Sequence, residues 1–332
     1  MTDPRTRKPV LEVEGLQTVF HDLEGAWPAI NALDLTIYEG EVLGLVGESG
    51  SGKSVAGFSI LGLIDTPGEI TAGRVLFQGK DLREMDEESL RKLRGADLSM
   101  IFQDPLTTLN PVLTIGEQMG EAITEHGQAD AEALRRRCID TLTKVGITSP
   151  EERLSQYPHE LSGGMRQRVV IAIALLNSPK VIIADEPTTA LDVTIQSQII
   201  AEMQRLQHDS GAALIWISHD LGVVAELADR IAVMYAGDIV EIGTTDEVLD
   251  RPRHPYTRGL LDSVPGDVPP GEPLRQIEGS APPLNARPFG CPFHPRCAQA
   301  TDLCRSSDPA PQGDGAGRIW RCHHPITAQE AA

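Results

Sequence analysis

The stretch from Gly47 to Ser54 constrains this chain more than any other part of its sequence. It matches the pattern G-x-x-x-x-G-K-[ST], follows the apolar run 42–46, and precedes a helical stretch that begins at Val55. Strand, glycine-rich loop and helix, in this order, form a phosphate-binding loop. The glycines let backbone N–H groups turn inward around phosphate oxygens, and the start of the helix adds positive potential. The sequence therefore predicts an α/β fold with a nucleotide site at this loop.

Two side chains within this loop have distinct predicted roles. Lys53 is expected to reach the β- and γ-phosphates of a bound nucleotide, and the Ser54 hydroxyl is expected to hold Mg²⁺. An accidental glycine-rich turn would not need both groups at the start of a helix. The positions predicted to bind nucleotide in this segment are Gly47, Glu48, Ser49, Gly50, Ser51, Gly52, Lys53, Ser54 and Val55.

Two more short apolar runs, 181–184 and 214–217, have the composition of buried parallel strands. The first is followed by Asp185 and Glu186. Because ligands bind at the carboxyl ends of strands in open parallel sheets, we expect both carboxylates at the nucleotide site. Asp185 suits Mg²⁺, and Glu186 suits a general base that orients an attacking water.

A third motif opens a helix. Leu161 is followed by Ser162, Gly163 and Gly164, and an apolar stretch covers residues 169–176. A serine and two glycines here leave backbone N–H groups bare at the positive end of the helix, which suits an anion. Taken alone, the same residues would also serve as an ordinary helix cap.

Composition excludes two classes of function. The 332-residue chain has a formal net charge of −19, so its surface repels phosphate backbones and no nucleic acid is expected as a partner. The longest apolar run, 169–176, is far short of the roughly 20 residues that a membrane helix needs. The polar N-terminus is unlike a secretory leader. We therefore expect a cytosolic protein that reaches a membrane through a partner.

Aromatic residues make up only 4% of the chain, which predicts an aliphatic core.

The identity and order of these motifs resemble the ABC ATPase family. Phosphate-binding loop, Leu-Ser-Gly-Gly helix start and strand ending in two acids follow one another as in that family, and the resemblance covers roughly residues 11 to 250. Gln103 matches the Q-loop of the family, residues 190–192 match its D-loop, and His219 matches its switch histidine. Met165 departs from the pattern, because the commonest signature has glutamine there.

The resemblance implies a P-loop ABC ATPase core with an inserted helical subdomain at about 104–178, and it assigns roles. ATP and Mg²⁺ are the implied cofactors, with Mg²⁺ held by Ser54, Gln103 and Asp185. The implied catalytic residues are Lys53, Gln103, Glu186 and His219. Each nucleotide in this family is sandwiched between two ATPase domains, so Ser162, Gly163, Gly164, Asp192 and His219 join the nucleotide-binding set. Phe20 is the implied stacking partner of adenine, with Trp27 in the same loop as the alternative.

A narrower resemblance is to the ATPases of dipeptide and oligopeptide importers. It rests on residues 104–105 with 109–111, on the string 157–168, on residues 254–257 and on a cysteine-rich tail. It implies ATP hydrolysis coupled to uptake of di- or oligopeptides, at the cytoplasmic face of a bacterial inner membrane. Members of this group also import nickel and some sugars. A non-transport ABC ATPase is the alternative from another class.

The same resemblance implies partners and domains. Two transmembrane permease subunits are expected, together with a second ABC ATPase subunit that is identical or related, and indirectly a periplasmic substrate-binding protein. The surface at 103–118 is expected to receive the permease loops. Residues 1–255 form the predicted nucleotide-binding domain and residues 256–332 a small C-terminal extension.

The extension contains four of the five cysteines. Cys291, Cys297, Cys304 and Cys322 follow the spacing C-x5-C-x6-C-x17-C. In a cytosolic protein such a cluster favours a metal site over disulfides. The residues alone leave the metal open, because the spacing lacks the tight pair typical of structural zinc and matches neither common ferredoxin pattern. His294, His323 and His324 are further possible zinc ligands. Some peptide-importer ATPases carry a [4Fe-4S] cluster in this tail, so the resemblance implies iron–sulfur, with zinc as the alternative.

Overall fold

The computed structural model describes residues 4–127, 130–189, 192–264 and 276–327. The strands in these ranges are β1 Pro9–His21, β2 Ala26–Tyr38, β3 Val42–Val46, β4 Gly68–Phe77, β5 Lys80–Asp81, β6 Leu98–Ile101, β7 Val181–Asp185, β8 Ala213–Ser218, β9 Arg230–Tyr235, β10 Asp238–Thr244, β11 Gln312–Gly313 and β12 Ile319–Trp320. The α-helices are α1 Lys53–Ile60, α2 Glu87–Leu93, α3 Pro105–Thr108, α4 Ile115–Thr124, α5 Ala131–Lys144, α6 Pro150–Arg153, α7 Gly163–Leu175, α8 Val193–Ser210, α9 Leu221–Leu227, α10 Thr245–Asp250, α11 Pro255–Asp262 and α12 Asp302–Ser306.

The chain divides into two compact units. The first consists of Met1–Tyr38, Val42–Arg83 and Trp216–Ala332, and the second of Glu39–Glu41 and Glu84–Ile215. Strand β8 crosses from the second unit into the first. Among the residues that the structure describes, no helix is both long and apolar enough to span a bilayer.

The first unit contains an antiparallel sheet with the strand order β2-β1-β4-β5. Alternating aliphatic side chains on β1 and β2 are fully buried, including Leu11, Leu16, Ile30, Leu33 and Ile37. This alternation is typical of strands that pack one face on a core. The sheet therefore has the aliphatic core that the scarcity of aromatic residues predicts.

The first unit also contains the strand that leads into the phosphate-binding loop. β3 pairs in parallel with β9, and β9 pairs antiparallel with β10. All five residues of β3 are buried, as are all six of β9. A strand buried on both faces is typical of a parallel sheet covered by helices. The predicted buried strand at 42–46 is thus confirmed.

The C-terminal extension adds two short strands to this sheet. β12 pairs antiparallel with β10, with Glu241 opposite Trp320, and β11 pairs with β12. Glu241 is fully buried and accepts hydrogen bonds from the backbone N–H groups of Arg253 and His254 and from the guanidinium of Arg318, at 2.7 to 3.0 Å. This carboxylate ties both the segment just before the extension and Arg318 within the extension to β10.

The second unit contains the parallel pair β6–β7 and the helices α2–α8. The predicted strands at 181–184 and 214–217 are confirmed as β7 and β8. Side chains of Thr114 and Asp130 cap α4 and α5, respectively, by accepting backbone hydrogen bonds. Local capping chemistry therefore explains where these helices begin.

Candidate functional site

The phosphate-binding loop links β3 to α1 and needs glycine at two points. A Cβ atom on Gly47 would lie 2.2 Å from the carbonyl oxygen of Met234, which no side chain can tolerate. Gly52, the N-cap of α1, has φ +105°, a conformation that other residues rarely adopt. These two positions explain why the loop can fold back tightly against its neighbours in the first unit.

Lys53 is the first residue of α1 and is 5% exposed. Its ammonium donates to the carbonyl oxygens of Gly47 at 2.8 Å and Glu48 at 3.0 Å. The Ser51 hydroxyl is fully buried and has no hydrogen-bond partner among the described residues. A buried lysine and an unpartnered buried hydroxyl in a loop that precedes a helix fit an anionic group such as phosphate.

Glu48 connects this loop to the C-terminal extension. Its carboxylate accepts two hydrogen bonds from Arg296, at 2.6 and 2.9 Å. Its backbone N–H donates to the hydroxyl of Tyr256 at 2.9 Å, and burial raises the pKa of that hydroxyl. No local pattern in the sequence indicates this contact, because Arg296 follows Glu48 by 248 residues.

At the end of β7, in the second unit, the structure brings together two predicted catalytic residues. Asp185 is buried, and Glu186 follows it with φ +44°, a conformation uncommon for any residue with a side chain. The Oε2 atom of Glu186 accepts hydrogen bonds from Nε2 of Gln103 at 3.1 Å and from the Thr189 hydroxyl at 2.9 Å. Such backbone strain is typical of residues that are held in place at a functional site.

The predicted signature residues open α7. Ser162 is the N-cap of α7, and its hydroxyl accepts from the N–H of Met165 at 3.3 Å, while Gly163 and Gly164 are the first two residues of the helix. Asp192 caps α8 in the same way. The other two residues of the predicted D-loop, 190 and 191, lie outside the described residues.

The remaining predicted nucleotide-binding residues belong to the first unit. His219 is exposed directly after β8. Phe20 and Trp27 face one another as register partners on β1 and β2, and both are half-buried. The indole N–H of Trp27 donates to Asp22 at 2.9 Å. The two aromatic residues therefore lie at one end of the same hairpin. Stacking of adenine on Phe20, with Trp27 as the alternative, stays a prediction.

The four cysteines of the extension line one cavity. Cys291, Cys304 and Cys322 are buried and Cys297 is half-buried, and none of them forms a disulfide. Burial raises the pKa of the Cys291 thiol to about 11 and that of Cys322 to about 12. The four thiols thus line a common cavity, and the four-cysteine metal site stays a prediction.

The histidines beside this cavity have other hydrogen-bond partners. Nδ1 of His294 lies 3.0 Å from the carbonyl oxygen of Cys291, and Nε2 of His323 lies 2.9 Å from that of Ser307. Nε2 of His324 lies 2.8 Å from the Thr301 hydroxyl. Over the described ranges, no three or more His, Cys, Asp or Glu side chains converge as metal ligands do. The identity and presence of a metal in this tail therefore stay predictions.

Two family models match the chain. Residues 30–189 match the ABC transporter model, and residues 240–304 match the model for the oligopeptide/dipeptide transporter C-terminal region. The first match includes the phosphate-binding loop and the Asp185–Glu186 pair, and the second includes Arg296 and the first three cysteines of the tail.

Curated relatives resemble the chain over nearly its whole length. It is 48% identical to the dipeptide transport ATP-binding protein DppD of Escherichia coli, over 96% of this chain and 97% of the relative. It is 49% identical to the protein of the same name from Bacillus subtilis, over 89% of this chain and 88% of the relative.

Solved structures share the fold at lower sequence identity. The dimeric ATP-binding cassette MJ0796, bound to ADP and Pi in a post-hydrolysis state, is 28% identical with a TM-score of 0.64, and the match covers 71% of this chain and 98% of that one. The protein cbiO1 from Clostridium perfringens, part of an ABC transporter complex, is 28% identical with a TM-score of 0.62, over 74% and 92% of the two chains. The fold is thus the P-loop ABC ATPase fold, and the chain belongs to the ABC transporter family, among its peptide-transport ATP-binding proteins.

Proposed function

We propose that this chain is the ATP-hydrolysing subunit of an ABC importer that takes up di- or oligopeptides across the bacterial inner membrane. The observation that carries the proposal is the hydrogen bond from Gln103 to Glu186, because it joins a candidate base to the residue that leads into the helices of the second unit. The relatives named as dipeptide transport proteins support the choice of cargo. Nickel or another small solute is the alternative cargo, and a non-transport ABC ATPase is a weaker alternative.

The proposed chemistry divides between the described residues. In the first unit, the loop 47–54 would hold the phosphates, Lys53 would leave its carbonyl partners to pair with the β- and γ-phosphates, and His219 would contact the γ-phosphate. In the second unit, Glu186 would accept a proton from the attacking water, which Gln103 would help to orient. Mg²⁺, held by Ser54, Asp185 and Gln103, would neutralise phosphate charge.

We further propose that the subunit works in a pair. Ser162, Gly163, Gly164 and Asp192 would face the nucleotide held by a second, identical or related ATPase subunit. The Ser162 hydroxyl and the N–H groups at the start of α7 are suited to the γ-phosphate of that nucleotide. The dimeric cassette found among the structural relatives supports this arrangement.

The proposed membrane partners are two permeases, with a periplasmic binding protein acting through them. Leu106, within α3, is 62% exposed, and Val112, between α3 and α4, is 75% exposed. Large apolar side chains in such exposed positions are suited to a protein contact. The subunit would thus be peripheral, at the cytoplasmic face of the inner membrane.

The division of the chain is likewise a proposal. Residues 1–255 would form the nucleotide-binding domain, with a helical subdomain at about 104–178, and residues 256–332 the extension. The concentration of helices between Pro105 and Leu175 supports the subdomain.

In the extension, the four thiols would hold a [4Fe-4S] cluster, with zinc as the alternative. Their shared cavity supports this proposal.

Uptake of a labelled dipeptide into vesicles that contain this subunit with its permeases tests the proposed function. Lys53→Ala should abolish ATP-dependent uptake, because it removes a phosphate contact. Lys80→Ala, at an exposed lysine on β5, should leave uptake unchanged. Uptake of nickel but not of peptide would assign the alternative cargo, and hydrolysis without uptake of any solute would refute a transport role.

A further inference from the structure

The C-terminal extension contacts the phosphate-binding loop through the ion pair between Arg296 and Glu48 and through the Tyr256 hydroxyl. We propose that Arg296 is a positioning residue that keeps the loop receptive to ATP by neutralising the carboxylate of Glu48. This inference rests on the proposed function, because it takes the loop to be the ATP site. It adds a residue of the extension to the machinery of the nucleotide site.

The geometry of the pair is that of a strong contact. Nη1 of Arg296 lies 2.6 Å from Oε2 of Glu48, and Nη2 lies 2.9 Å from Oε1, so the guanidinium binds both carboxylate oxygens. The side chain of Arg296 is 5% exposed and that of Glu48 is 31% exposed. Two-pronged pairing of this kind fixes orientation as well as distance. The hydrogen bond to Glu48 is also the main cause that raises the pKa of Arg296.

Arg296 is held in place independently of Glu48. Its Nε atom donates to the carbonyl oxygen of Glu278 at 2.9 Å, and its guanidinium carbon lies 5.8 Å from the centre of the Tyr235 ring. Phe293 packs edge-on against the same tyrosine, with ring centres 5.3 Å apart. Because these contacts already order the Arg296 side chain, pairing with Glu48 costs little additional conformational entropy. Arg296 can therefore fix the position of the loop.

Each polar part of Glu48 has a partner. Its carboxylate pairs with Arg296, its N–H donates to Tyr256, and its carbonyl oxygen accepts from Lys53. The residue therefore has a fixed position within the loop. It also carries the one negative charge between Gly47 and Ser54, where a polyanion is to bind.

The charge of Glu48 opposes ATP unless it is balanced. A carboxylate close to phosphate oxygens raises the free energy of the bound state, because like charges repel at short range. Arg296 removes this repulsion by making the pair neutral. Loss of Arg296 should therefore weaken ATP binding, and loss of both charges should not.

A double-mutant cycle on the full-length chain tests the proposal, with affinity for Mg²⁺ and a fluorescent ATP analogue as the readout. At low ionic strength Arg296→Gln should weaken binding about tenfold, and the loss should shrink at high salt because the repulsion is screened. Glu48→Gln should bind a few-fold more tightly than wild type, since the positive charge of Arg296 is then no longer balanced by a carboxylate. The double variant should bind within about twofold of wild type.

Two further measurements separate positioning from folding. Arg321→Gln breaks another tail-to-core ion pair, with Asp34 at 3.7 Å, and should leave ATP affinity unchanged. In assays of hydrolysis, Arg296→Gln should raise KM for ATP and leave kcat near wild type. If Arg296→Gln does not fold, the low-salt affinity of Glu48→Gln remains as a test on its own.

The outcomes are distinct. Wild-type affinity in Arg296→Gln, or equal weakening in Arg296→Gln and the double variant, would refute the charge-balancing role. No gain in affinity for Glu48→Gln at low salt would also refute it. Failure of the wild-type chain to bind ATP would instead overturn the proposed function.

Discussion

Replacement of Glu186 by glutamine is the most direct test of the hydrolytic site. Glutamine has nearly the same shape, and its amide oxygen can accept both hydrogen bonds that Oε2 of Glu186 accepts from Gln103 and Thr189. The side chain should therefore stay where it is. Only the negative charge and the ability to take a proton from water are lost.

The expected magnitude follows from that difference. A positioned general base contributes about 10²- to 10⁴-fold to the rate, which corresponds to about 3 to 5 kcal/mol of barrier. Gln103→Ala removes one hydrogen bond to this charged carboxylate, worth about 1.5 kcal/mol, so it should slow hydrolysis about tenfold through the positioning of Glu186 alone. We therefore expect Glu186→Gln to reduce kcat at least a hundredfold and to keep KM for ATP near wild type.

The assay is phosphate release by the assembled transporter, together with the amount of ATP retained after rapid removal of free nucleotide. Glu186→Gln should retain ATP in a closed dimer of ATPase subunits. Glu88→Gln makes the same chemical change at a 63% exposed helix position and should behave as wild type. If Glu186→Gln keeps more than a tenth of wild-type turnover, Glu186 is not the general base.

Three further predictions concern other parts of the chain. Leu106→Asp and Val112→Asp should block peptide uptake and leave ATP hydrolysis by the isolated subunit unchanged; normal uptake would move the permease contact elsewhere. Anaerobically purified protein should be brown and contain iron, and Cys297→Ser should lose both the colour and the iron. Colourless protein with stoichiometric zinc would show that the site binds zinc and not a cluster. Protein without metal would refute both assignments. Glu241→Gln leaves the buried charge of Arg318 without its partner and should lower the free energy of unfolding by about 3 kcal/mol in urea titrations, so an unchanged midpoint would contradict the role of this carboxylate.

The local parts of the site were predictable from sequence because their causes are local. The glycine and lysine pattern specifies the loop 47–54, β-branched runs specify the strands, and a serine before two glycines specifies the start of α7. Each of these signals lies within about ten residues. The hydrogen bond between Gln103 and Glu186 could be anticipated only through the family resemblance.

The rest depends on contacts between distant segments. Nothing near Arg296 in the sequence indicates that its partner is Glu48, and no periodicity marks residues 319–320 as a strand that pairs with β10. The buried aromatic cluster of Tyr235, Tyr256 and Phe293 was likewise not expected in a chain with few aromatic residues. Such features follow from how the extension packs, which the sequence does not specify locally.

The pairing of β12 with β10 also affects how this protein behaves at high concentration. A strand with an open side presents a row of unpaired backbone groups, which can recruit a strand of another molecule and begin aggregation. In the described structure β12 covers that side of β10, and the outermost strand, β11, is only two residues long. A shortened version that ends before the extension would leave this side of β10 unpaired at Glu241 and Ile242, both of which are buried here. The extension thus protects the subunit from self-association through β10, independently of any role of its cysteines.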